Sequence, residues 1–154
     1  MMHRGVLVGV VLLALVFSPL HGAAQSNPRL GTWKLNLAKS KYEHGVAPKD
    51  ETRTYSAWQG DGVSVSIVAT TMSGEKQTTT FSNKYDGKDN PYRGPAGDTI
   101  SVKGDGVTSD AVVKKAGKVT QTTHSVVSKD GKTMTMMASY PDNAKTDMRI
   151  YDKQ

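Results

Sequence analysis

Four Asp-Gly pairs, beginning at Asp61, Asp86, Asp105 and Asp130, cut the chain into short pieces, and this punctuation constrains the fold more than any other feature. Gly adopts positive φ without steric penalty, and the Asp carboxylate accepts hydrogen bonds from the backbone just ahead of it. Asp-Gly between alternating segments is therefore a hairpin signal. Ser-Gly-Glu at 73–75, Gly-Pro-Ala-Gly at 94–97 and Ala-Gly-Lys at 116–118 supply further turns. Between turns, apolar and polar residues alternate. Val63, Val65 and Ile67 stand against Ser64 and Ser66; Phe81, Asn83 and Tyr85 against Ser82 and Lys84; Ile100 and Val102 against Ser101; Met134, Met136 and Ala138 against Thr133 and Thr135. Period two with one dry face is the pattern of antiparallel strands solvated on the other side.

Nine such segments are readable, near 31–36, 51–58, 63–71, 76–85, 98–103, 107–114, 118–127, 133–140 and 146–152. The stretch "DGKDNP" at 86–91 reads as a polar hairpin turn, since its carboxylates lack the alternate spacing of a calcium loop. Helix signals are confined to a short element near residues 37–45, stopped by Gly45 and Pro48. About eight to ten antiparallel strands joined by short connections predict an all-β, closed up-and-down barrel, because closure removes exposed edges. A two-sheet sandwich is the competitor, but it needs long crossing connections for which the chain has little room.

The N-terminus is set apart from this pattern. A basic start through Arg4 leads into an uncharged apolar run, Gly5 to Phe17, followed by small residues suited to cleavage before Gln25. The run is too short to span about 30 Å of hydrocarbon as a helix, and its layout fits a secretory signal peptide. The expected organisation is a signal peptide at 1–24 and one domain at 25–154, exported to the periplasm or secreted, with no integral membrane segment after cleavage. No Cys occurs, so no disulfide staples that domain. Its length suffices for one ordinary core and not for two.

The formal charge of +6 is spread thinly over turns, which reads as a solvated face. Aromatics are few and not interleaved with Lys or Arg on one strand, so nucleic-acid binding is not expected. Past the leader, His44 sits in a loop and His124 in a Thr-rich strand. No Gly-x-Ser-x-Gly, no His-Glu-x-x-His and no Cys nucleophile accompanies them. Neither an enzyme, a metal site nor a cofactor is expected.

The first segment, "GTWKLNLAKSKY" from Gly31, resembles the Gly-x-Trp opening of lipocalins and fatty-acid-binding proteins, the calycin group of small barrels. The last, "MRIYDKQ" at 148–154, resembles the closing strand of fatty-acid-binding proteins, where an Arg-x-Tyr pair precedes an acidic residue and Lys. The phrases "KYDGKD", "DTISVK" and "VVSKDGKTM" extend the likeness, over nearly all of 30–154, to exported bacterial lipocalin-like proteins. There is no room after the first strand for a long helical lid. The resemblance implies that Trp33 closes the barrel as a structural plug, stacked beneath an Arg of the final strand, here Arg149.

Alternation alone leaves three places for Arg149: facing a cavity together with Tyr151, at the barrel floor on Trp33, or in solvent. In the first, Arg149 and Tyr151 form a ligand site for an anionic head group, a guanidinium plus a phenol donor. Arg53, on one face with Tyr55, adds a second polar contact. Met134, Met136 and Met137 could mould an apolar pocket or simply pack the core. The expected function is non-enzymatic binding or carriage of a small hydrophobic or amphipathic molecule. The alternative is an exported interaction protein whose barrel is filled.

Overall fold

A computed structural model describes residues 26–154; the expected signal peptide at 1–24 lies outside the described residues. Among the described residues the chain forms ten strands. These are β1 (Gly31–Leu35), β2 (Asp50–Trp58), β3 (Gly62–Thr70), β4 (Lys76–Asn83), β5 (Asp86–Gly94), β6 (Gly97–Gly104), β7 (Thr108–Lys115), β8 (Lys118–Val127), β9 (Thr133–Tyr140) and β10 (Asn143–Lys153). Each pairs with its chain neighbour, and β1 pairs with β10, which closes an up-and-down barrel. The only helical piece among them is a 3-10 turn at Leu37–Lys39, capped by the Asn36 side chain.

Alternation translates directly into this barrel. Val63, Val65 and Ile67 of β3, Ile100 and Val102 of β6, and Met134, Met136 and Ala138 of β9 all point inward and are buried. Met137 points outward and is exposed, so only two of the three Met residues reach the interior. The four Asp-Gly pairs all lie at one end, in or beside the turns β2–β3, β4–β5, β6–β7 and β8–β9. Three of the four carboxylates, those of Asp86, Asp105 and Asp130, accept backbone N–H groups just ahead of them. Asp105 Oδ1 accepts from the N–H groups of Val107 and Thr108 at 2.7 Å, and Asp130 Oδ1 from that of Lys132 at 3.0 Å.

One expectation fails here. "DGKDN" is the first half of a strand, β5, which sequence reading took for a turn. Register shifts between Asp86 and Asp89, and again between Pro91 and Gly94, scramble the alternation. β4 meets β5 only at Thr80 opposite Arg93 and Phe81 opposite Tyr92, so Pro91 lies just beyond that ladder, where its missing N–H breaks no bond to β4.

At the Asp-Gly end Trp33 plugs the core, and a surface cleft of about 580 Å³ lies between Asn27, Pro28 and the turns at 60–62 and 104–107. Trp33 is fully buried and donates its indole N–H to the carbonyl of Arg29 at 2.8 Å. Over its ring lies Lys153, Nζ 5.1 Å from the centroid, while the same ammonium donates to Pro28 O at 2.8 Å. Gly31 serves this crossing: its φ is +117°, and a Cβ there would come within 3.2 Å of Lys153 Cε. Arg149, assigned to this place by the resemblance, is not there. Register is the reason. Trp33 stands opposite Lys153, and Arg149 is four residues further back on β10, about 13 Å along the strand.

Candidate functional site: the arginine-lined interior

Two connected spaces occupy the barrel axis. An inner chamber of about 70 Å³ is bounded by Arg29, Asn83, Ser109 and Ser125 toward the closed end and by Arg53 and Arg149 toward the other. A vestibule of about 340 Å³ opens beyond it, framed by Tyr42, Val46, Met72, Pro95 and Ala96. Arg53, Ile67, Tyr92, Gln121 and Arg149 line both, so they form the neck between them.

The inward face of β2 carries Glu51 and Arg53, and that of β10 carries Asp147, Arg149 and Tyr151; of these Arg53 and Arg149 line the neck. Because β1 ends at Leu35, β2 and β10 face one another across its end, and Glu51 reaches over. Glu51 Oε1 accepts from Tyr151 Oη and from Arg53 Nε, each at 2.7 Å. The Arg53 guanidinium also lies 5.0 Å from the centre of the Tyr151 ring. Burial opposes ionisation of Glu51, but the Arg53 charge and the Tyr151 hydroxyl outweigh it and hold the carboxyl below its usual range. Burial pushes the Tyr151 phenol far up, so it stays protonated and donating. Glu51, Arg53 and Tyr151 thus satisfy one another.

Arg149 is served differently. Its Nη2 donates to Tyr140 Oη at 2.6 Å and sits 3.4 Å from Asp147 Oδ2, and its guanidinium lies 5.6 Å from the Tyr42 ring centre. Its Nε is buried with no hydrogen-bond partner among the described residues. The Tyr42 hydroxyl is likewise buried and unpartnered, and burial pushes its pKa up to about 12. Two buried donors therefore stand bare beside the neck, an arrangement that costs roughly 1–3 kcal/mol per group unless something occupies it.

Asp147 holds the segment that frames the vestibule. The carboxylate is inaccessible to solvent, and its Oδ1 accepts from the backbone N–H of Glu43 and of His44, both at 2.9 Å. The His44 ring stacks on Tyr140, centroids 3.8 Å apart. This strap, residues 41–48, takes the place of a lid. His124 points outward from β8 and pairs with Asp110 at 2.6 Å on the exposed surface.

The structure thus brings Arg149 and Arg53 together at the neck and keeps Trp33 apart at the closed end; Tyr151 shares their inward parity but is fully buried behind Arg53, donates its hydroxyl to Glu51 and lines neither space. Sequence reading missed Glu51, Tyr42, Asp147 and Arg29. Glu51 was findable, since it shares parity with Arg53 and Tyr55 on β2. Arg29 was not, because it precedes the first strand and belongs to no periodic pattern.

No family model and no curated protein matches the sequence. Solved structures do match. An asparagine-to-alanine mutant of the fluorescent protein UnaG superposes with a TM-score of 0.57 at 17% identity, over 83% of this chain and 97% of that one. Wild-type UnaG gives 0.54 at 18% identity, over 81% and 96%. The chain has the calycin fold. At this level of identity the likeness extends to architecture alone, so the chemistry of this calycin barrel is read from its own neck and chamber.

Proposed function

We propose that the barrel binds and carries a small amphipathic anion, its head group on Arg149 and its apolar part in the vestibule, outside the cytoplasm. One observation carries the reading: Arg149 Nε is a buried, charged donor without a partner, on the wall shared by chamber and vestibule. A buried guanidinium favours a carboxylate or similar anion over a neutral group, since hydrogen bonds to charge are about twice as strong. Tyr42 adds a second free donor, while Arg53, braced by Glu51 with Tyr151 packed behind it, forms the polar wall beside it. Val46 and Met72 give the vestibule an apolar rim. Export rests on the layout of residues 1–24.

A filled barrel without a ligand fits the inner chamber taken alone, which holds on the order of five waters. The vestibule and the bare Arg149 donor favour the carrier. The test is calorimetric titration of decanoate and decanol against the parent and Arg149→Gln. The acid should bind the parent more tightly than the alcohol, and the substitution should weaken the acid by about 1.5–3 kcal/mol while changing the alcohol much less. Equal losses for acid and alcohol, or no binding of either to the parent, would refute the assignment.

A further inference from the structure

The closed end contains a second guanidinium that the head-group site does not use. Arg29 is 2% exposed, yet its side chain reaches from the N-terminal segment to the floor of the inner chamber. Every partner it has there is neutral. Nη1 donates to Ser125 Oγ at 2.7 Å and meets Met134 Sδ at 3.4 Å. Nη2 donates to Val107 O at 3.3 Å and Nε to Gly106 O at 3.4 Å. No carboxylate among the described residues lies within ion-pair distance. A buried charge without a counter-ion is among the costliest features a small domain can retain. The contrast with Arg53, whose charge is answered by Glu51 at 2.7 Å, is internal to the same barrel.

The surroundings of Arg29 suit an anion. Ser109 and Ser125, whose hydroxyls lie 3.1 Å apart, and Asn83 provide polar atoms on the same floor, and Thr123 stands midway to the neck, accepting from Gln121 Nε2 at 2.9 Å. Between floor and neck the lining is mainly apolar, with Ile67, Phe81, Ile100, Val102, Val113 and Met136. On β8, Ser125 marks the floor and Gln121 the neck, four residues apart, which is about 13 Å along the strand. The interior is therefore cationic at both ends and greasy between.

We infer that the inner chamber is a second anion site, floored by Arg29, and that the ligand class is an elongated dianion with one anionic group at Arg29 and the other at Arg149. The inference rests on the reading of Arg149 as head-group anchor. It goes further, because a monoanion leaves the Arg29 charge unanswered.

The deciding comparison needs only the parent protein: calorimetric titration with decanedioate, decanoate and the shorter hexanedioate. Decanedioate should bind about tenfold or more tightly than decanoate, because its second carboxylate meets a charged donor. Hexanedioate, too short to bridge floor and neck, should lose that advantage. If Arg29 accepts no anion, decanedioate must bury a bare carboxylate or leave it in water, and will bind no better than decanoate. That result, with decanoate still bound, overturns the dianion and leaves the Arg149 site standing. Failure of all three to bind overturns both. A separate inorganic anion on the floor would show as decanoate and phosphate binding together with no gain for decanedioate, which also overturns the inference. Arg29→Gln should collapse the ratio of decanedioate to decanoate affinity; should that variant not fold, the chain-length comparison on the parent still decides.

Discussion

The two ends of this barrel are made from the same alternating strands and solve opposite problems. At the closed end, four turns are capped by their own Asp residues or built around Asp-Gly pairs. Trp33 has Lys153 over its ring face and donates its indole N–H to the Arg29 carbonyl. At the open end, the connections carry Ser73-Gly74, Pro95-Ala96, Ala116-Gly117 and Pro141-Asp142, the strap is tied by the Lys41–Met148 backbone pair, the His44 stack and the Asp147 carboxylate, and two buried donors have no partner. Hydrogen-bonding groups are matched at the closed end, where Arg29 keeps an unanswered charge but no bare nitrogen, and two donors are left bare at the open end. A barrel can afford this division because its closed ladder holds both ends in one cooperative structure.

The largest effect that could break this contrast is at Trp33. Trp33→Ala removes a fully buried indole from the closed-end core and orphans the Arg29 carbonyl, and should cost about 3–5 kcal/mol. Urea unfolding of parent and mutant measures it. A comparable loss from Tyr42→Phe, which removes an unpartnered hydroxyl at the open end, would erase the distinction between the ends; the expected change there is near zero or slightly stabilising.

A smaller effect, and one that depends on pH, belongs to the strap. At Asp147 burial opposes ionisation, but the N–H groups of His44 and Glu43, followed by the Arg149 charge, outweigh it and hold the carboxyl below the ordinary 3.8. A carboxyl depressed on folding contributes stability that is complete above its unfolded pKa and disappears as pH falls through the folded value. Asp147→Asn should cost about 1.5–3 kcal/mol at neutral pH, the scale of hydrogen bonds to a charged group. The gap between parent and mutant should then close as pH drops below the normal aspartate range. Glu51, also depressed, titrates in both proteins and cancels from the difference. A gap that persists unchanged in acid would mean that the carboxylate charge does not hold the strap.

How much of this could be read beforehand follows the reach of each signal. Parity along a strand is local, so alternation gave the inward faces of β3, β6 and β9 and the shared face of Arg149 and Tyr151. Pairing across strands is not local. That Tyr151 spends its proton on Glu51, a hundred residues away, depends on where β1 stops, which no spacing within β10 reveals. The strand β5 escaped because Gly87, Pro91 and two register shifts make it look like the turn it follows. Arg29 escaped for a different reason: it acts through side-chain length, from a segment without regular structure.

The smallest effect sharpens the comparison most, because it separates two neighbouring cations on one strand. Lys153 and Arg149 share the inward parity of β10, and the calycin resemblance assigns the cation above the Trp to Arg149. The register assigns it to Lys153. Lys153→Met keeps the stem that packs on the indole but removes the charge and the bond to Pro28 O, and should cost about 1 kcal/mol. In a double-mutant cycle with Trp33→Leu, Lys153 should couple to the indole by about 0.5–1 kcal/mol, whereas Arg149→Met should show no coupling beyond error. The reverse pattern would place Arg149 on the plug. It would also withdraw the guanidinium with the bare Nε from the neck, and the open end would lose the feature that sets it apart from the closed one.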